Sequence, residues 1–365
     1  MLLKPSILLL ITKKPNSKIN KMKTTISAII LFFSLCTAFA QEFKQPVDYL
    51  EFMAKESDVI ARNTWKYTLA VAHSKSARKI DNTRKSLVKS IQNAKSRIEN
   101  LKDGYKGDVE YRDQMVAYLS ISENHINEEY DKIIDMQEVA DQSYDYMEAY
   151  ILAREMVNEK INEEVDKLNA NQKIFANKYG IQISESSSEL SKKMKISNEV
   201  FDNQTELYLI FFKTNITDAN LMKAVQEKDL SAIQQNAAAL EQFADEGLLK
   251  LKAFKPFKND PLLVNATVKA MELYKKEASE FAPKIISFLM LNEKMEESNT
   301  AMNNKSAKNR TKEEVDAFNK LVNEVNKEVG NYNKLTSKFN TDKNAMINNW
   351  NTASENFVSK HVPND

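Results

Sequence analysis

Tyr105-Lys106-Gly107-Asp108 opens a stretch, running to Ile134, that recurs as Phe257-Lys258-Asn259-Asp260 to Ile286 at an offset of 152 residues. Tyr105 answers Phe257. Lys106, Asp108, Val116 and Lys132-Ile133-Ile134 are among the residues repeated unchanged. A second match follows in the same order. Glu163-Glu164-Val165-Asp166, Asn169 and Gly180 return as Glu313-Glu314-Val315-Asp316, Asn319 and Gly330, 150 residues on. Two ordered matches whose offsets differ by only two residues point to an internal duplication.

Composition says what is duplicated. The 365 residues suffice for two domains, and 42% hydrophobic content supports a buried core. Only five glycines occur, where average usage would give roughly 25. Sheets and tight turns use glycine and helix interiors avoid it, so the chain reads as all-α. The expected architecture is an elongated tandem of two related bundles of about four helices each. The alternative is fewer, longer helices forming one rod.

Residues 1–40 stand apart. A basic start at Met22-Lys23, an apolar run from Ile26 to Leu35 and Ala38-Phe39-Ala40 are the parts of a secretory signal peptide cleaved before Gln41. Residues 1–21 read as an upstream extension, with translation starting at Met22. The apolar run is too short to span a bilayer, and retention as an interfacial anchor is the alternative. Cys36 raises lipid attachment, but Phe33 and Leu35 are bulky for that signal, so plain cleavage is expected. The first 40 residues hold six lysines and no acid, leaving 46 basic against 51 acidic residues, a net charge of −5. That balance argues against a nucleic-acid partner. No cysteine follows residue 36, which excludes disulfides and thiolate metal sites from the mature chain. The expected domains are 41–183 and 184–365, with no transmembrane segment in either.

Helical periodicity fills both halves. In the first, Ile80, Leu87, Ile91, Ala94, Ile98 and Leu101 keep the alternating spacing of a helix on near-parallel neighbours. Breaks are expected at Ser74-Lys75-Ser76, in the Gly104–Gly107 loop, near Asp135–Asp141 and after Gly180. Ser184–Ser188 reads as the linker. In the second half, Lys228–Ser231 reads as a turn, Pro283 as a kink and Asn299–Arg310 as a loop. Thr311-Lys312-Glu313-Glu314 resembles a capping box. Val315, Phe318, Val322, Val325, Val329 and Tyr332 give the clearest seam.

No catalytic pattern emerges. His73, His125 and His361 lack a partner at metal-ligand spacing, and neither His-Glu-x-x-His nor Glu-x-x-His occurs. There is no Gly-x-Ser-x-Gly elbow. No catalytic residue, cofactor or metal is therefore assigned. The one suggestive cluster is Tyr144, Tyr146 and Tyr150 with Asp141, Asp145, Glu148 and Arg154. Tyr146, Tyr150 and Arg154 share one helical stripe, absent from the corresponding Glu296–Asn304 region. It reads either as an added binding site or as tyrosines at the rim of a bundle core, with the second weighted more heavily.

Pro46-Val47-Asp48-Tyr49-Leu50 after the leader, and Trp350, Phe357 and His361-Val362-Pro363 at the end of a cysteine-free helical region, resemble an uncharacterised family of secreted surface proteins from Bacteroidota and spirochaetes. The resemblance implies an all-helical exported protein, in the periplasm or on the surface of a Gram-negative cell, and no active site. The function expected is non-enzymatic, an interaction with another envelope or surface protein or a structural role. A periplasmic small-ligand binder is the alternative, and a hydrolase ranks last.

Overall fold

The computed structural model describes residues 43–74, 76–140, 143–183 and 188–364. The side chains of 77, 128–140, 150, 153–155 and 157–158 are not among those described. The leader, the Gln41 cleavage point, Cys36, Asp141 and most of the Ser184–Ser188 linker lie outside this set.

Among the described residues there are nine α-helices and no strand. They are α1 Pro46–His73, α2 Ala77–Glu99, α3 Glu110–Ala140, α4 Tyr144–Lys178, α5 Glu189–Glu227, α6 Leu230–Ala253, α7 Leu262–Lys276, α8 Ala282–Asn303 and α9 Lys312–His361. No described helix is long and apolar enough to cross a membrane. The chain divides into two bodies. Among the described residues, those from Phe43 to Glu128 and within Val157–Leu190 form the first, and those within Glu129–Met156 and from Ser191 onward form the second. The division falls inside α3 and α4, so a segment from the first half of the sequence belongs with the second body.

Local chemistry explains the helix ends. Gln45 and Asp48 form a capping box ahead of Pro46, whose missing N–H costs nothing in a first turn. Ser76 caps α2 and Asp229 caps α6, each accepting from the backbone three residues on. Thr311 and Glu314 cap α9 reciprocally. α3 ends at Ala140, inside the Asp135–Asp141 window where a break is expected. Two boundaries differ from the sequence reading. α8 continues to Asn303, into the expected loop. Pro283 does not kink a helix from within: a π-helical turn at Glu277–Phe281 precedes it, and Pro283 lies in the first turn of α8.

The first body's core follows the α2 rhythm. Leu87, Ile91, Ala94, Ile98 and Leu101 are all buried, as are Met115, Leu119 and Ile126 of α3 and Trp65 of α1. Aromatic rings gather at one end. Phe175 lies 5.1 Å from Tyr49, 5.8 Å from Tyr105 and 4.6 Å from Tyr179, centroid to centroid. In the second body Leu240, Ala244, Gly247 and Leu251 of α6 are buried with the α2 spacing. A Cβ on Gly247 would stand 2.7 Å from Met271 Sδ, so glycine lets these helices approach closely. Trp350 of α9 stacks on Phe211 at 4.3 Å and 12°.

The repeated stretch forms the same device in each body. Lys106 (φ 53°) and Gly107 (φ 89°) are left-handed, and so are Lys258 (φ 48°) and Asn259 (φ 59°). For lysine this conformation costs roughly 1–2 kcal/mol. Each turn ends in an aspartate held by the end of a later helix. Lys178 Nζ donates to Asp108 Oδ2 at 2.8 Å and Tyr179 Oη at 3.3 Å. Lys360 Nζ donates to Asp260 Oδ2 at 2.7 Å, and His361 Nε2 lies 2.8 Å from the same oxygen. Tyr105 meets Tyr179 edge-on at 4.9 Å, and Phe257 meets His361 edge-on at 5.2 Å.

The Asp260 clasp has a testable acid limit. Burial pushes its carboxyl up, but Lys360, the Leu262 amide and His361 outweigh that and hold it at about 2. A lowered carboxyl contributes stability above its ordinary pKa near 3.8 and loses it as pH falls through about 2. Asp260→Asn is expected to cost about 1.5–3 kcal/mol at neutral pH and to flatten this acid limb in urea titrations. An unchanged limb would show that the clasp contributes nothing.

Candidate functional site

The tyrosine cluster is only partly brought together. Tyr144 and Tyr146 are two positions apart, about 200° around a helix, and face different ways. Tyr144 packs beside Met147 and Ile151 against Tyr208, Leu209, Phe212 and Ile216 of α5. Its hydroxyl donates to Glu148 Oε1 at 3.2 Å. Burial and the Glu148 carboxylate push that phenol up to about 12. Tyr146 is 57% exposed. The side chains of Tyr150 and Arg154 lie outside the described residues, as does Asp141.

Tyr144 does line a groove of about 460 Å³ with Glu206, Lys213, Phe243, Glu246 and Lys250. Lys213 Nζ sits 4.0 Å above the Phe243 ring and 5.3 Å from that of Tyr144. It also pairs with Glu246 Oε2 at 3.1 Å. The groove is open, and its Lys213 is already paired with Glu246.

The strongest convergence of ionisable groups escaped the sequence reading. Asp218 of α5, Glu277 of the π-turn and Lys343 of α9 meet inside the second body. Lys343 Nζ lies 2.6 Å from Asp218 Oδ1 and 2.7 Å from Glu277 Oε1. Glu277 is fully buried. Beside it Tyr274 Oη donates to Asn215 Oδ1 at 2.8 Å. Further along α9, Trp350 Nε1 donates to Thr267 Oγ1 at 3.0 Å, and Ser354 Oγ accepts from Gln204 at 2.7 Å. A signal was present in the spacing. Phe339-Lys343-Met346-Trp350 and Phe211-Thr214-Asp218-Leu221 place each charge on an apolar seam.

This arrangement can hold charge and protons. Asp218, Glu277 and Lys343 line none of the described grooves, and no described group of histidine, cysteine or carboxylate side chains could hold a metal ion. Comparison with family models, curated proteins and solved structures returns no match.

Proposed function

We propose that the chain is an exported, non-enzymatic helical protein of the cell envelope, built from two related four-helix units and acting through protein interaction or as a structural part. One observation carries the interaction reading. Tyr146, Leu152 and Met156 of α4 are each more than half exposed, although Met147 and Ile151 on the same helix already pack on α5. A helix apolar on its outward face as well as its inward one is suited to a partner. Export rests on the 22–40 leader pattern and on the family resemblance.

Relatedness of the units is supported by the clasps. Phe175, Lys178 and Tyr179 correspond to Phe357, Lys360 and His361 at an offset of 182. The four helices of the first unit would then be α1–α4. Those of the second are α5, α6, the α7–α8 pair and α9. The 150-residue match does not belong to this alignment. Gly180, at φ 67°, lies just past the end of α4, whereas Gly330 lies inside α9.

A small-ligand binder is the second reading, favoured by the Tyr144–Lys213–Phe243 groove. A photo-crosslinking residue at Leu152, compared with one at Phe243 in host cells, separates the two. The interaction reading expects protein adducts from position 152, on a chain whose intact mass begins at Gln41. Failure at 152, with a small molecule that co-purifies with the protein and is lost in Lys213→Met, would replace it with the ligand binder.

A further inference from the structure

We propose that Asp218, Glu277 and Lys343 form a proton-binding site, in which the two carboxyls share one proton at neutral pH and its loss loosens the joint between α7 and α8. The case begins with counting charge. Fully ionised, the cluster has two negative charges against one positive. Asp218 is 5% exposed, Glu277 0% and Lys343 9%. A surplus charge sealed from water costs several kcal/mol. Glu277 Oε2 is buried and meets no donor. The Asp218 and Glu277 carboxyls close on the same Lys343 ammonium, which brings them side by side, and a bond between them forms only if one carries a proton. One shared proton removes the surplus charge and supplies the missing donor.

The surroundings favour the protonated form. α5 presents Asp218 and the neutral Asn215, α7 presents Tyr274, and α9 presents Lys343. α6 and α8 also pack on the turn. The largest charge effects on Glu277 come from Asp218 and Lys343. Burial and Asp218 push the Glu277 carboxyl up to about 8, against the smaller downward pull of Lys343. Burial and the same two acids raise Tyr274 well above the ordinary phenol range, so it stays a neutral donor.

Position makes the proton consequential. Glu277 is the first residue of the π-turn, and its bond to Lys343 fixes that turn against α9. The closed joint holds a proton that an opened, hydrated Glu277 releases. Opening therefore becomes easier by about tenfold per pH unit between the ordinary glutamate pKa of 4.5 and about 8, and levels off above. The proton's stabilising contribution is complete below 4.5 and is lost as pH rises through about 8.

Infrared spectroscopy and hydrogen exchange test this on the full chain. Wild type is expected to show a protonated-carboxyl band at pH 7 that titrates away near pH 8. Glu277→Gln removes the band, and so does Asp218→Asn, which leaves Glu277 evenly matched with Lys343. Exchange of the 277–286 amides between pH 5.5 and 8 should gain about tenfold per unit beyond the intrinsic base-catalysed rise in wild type only. A missing band at pH 7 overturns the proposal. So does the same pH dependence of exchange in wild type and Asp218→Asn, a comparison that stands even if Glu277→Gln folds poorly.

Discussion

Lys343→Met is expected to be among the most damaging single substitutions in the second body, costing about 3–5 kcal/mol. Methionine fills much of the lysine stem's volume, so the loss is electrostatic rather than a cavity. It strands Asp218 and Glu277, side by side and buried, without a counter-charge. The expected fall in melting temperature is on the order of 10 °C. The sign with pH is definite. Without the ammonium's downward pull the Glu277 carboxyl rises further, so the variant binds more protons when folded and loses stability as pH climbs from acid to neutral. Urea titrations at pH 5 and pH 8 should show the larger deficit at pH 8. Adding Asp218→Asn and Glu277→Gln should restore part of the loss, because neutral amides need no counter-ion. A deficit below about 1 kcal/mol at both pH values would mean that the cluster is hydrated and of little energetic weight.

Phe175→Ala should be comparably severe in the first body. Phe175 is 2% exposed and its ring touches those of Tyr49, Tyr105, Tyr111 and Tyr179. Deleting a buried phenylalanine typically costs about 3–5 kcal/mol, and aromatic pairs add to plain burial. The loss also unseats the Asp108 clasp, whose Tyr179 leans on Phe175. Tyr49→Phe is the control. Its hydroxyl is buried without a hydrogen-bond partner, so removing the oxygen is expected to be neutral or slightly stabilising. Calorimetry showing equal effects for the two variants would remove Phe175 from the centre of this core.

Much of the fold could be read from spacing because spacing reports which face of a helix is apolar. Leu87, Ile91, Ala94 and Ile98 announced a buried seam and are buried. Spacing does not report how many neighbours cover that face. Val315, Phe318, Val322 and Val325 gave the clearest seam yet are only half-buried, and Val329 is 38% exposed. The buried positions of α9 lie mainly in its second half, from Phe339 to Val358. Asp218 and Lys343 stand on seams for a related reason. A charge in an apolar register is visible in sequence, but its partners lie 125 and 66 residues from Lys343, and no local pattern names them. The tyrosine cluster put Tyr144 and Tyr146 together, but they face different ways on α4. The twin turns were legible because aspartate, left-handed residues and a preceding ring all act within four positions.

The chain's two tryptophans are Trp65 and Trp350, one buried in each body. The molecule therefore carries a native fluorophore for each half. Trp65→Phe leaves emission that reports on the second body, from an indole stacked on Phe211 and donating to Thr267. Trp350→Phe leaves emission from α1 of the first. Unfolding can then be followed separately in each half by ordinary steady-state fluorescence, without attaching a dye.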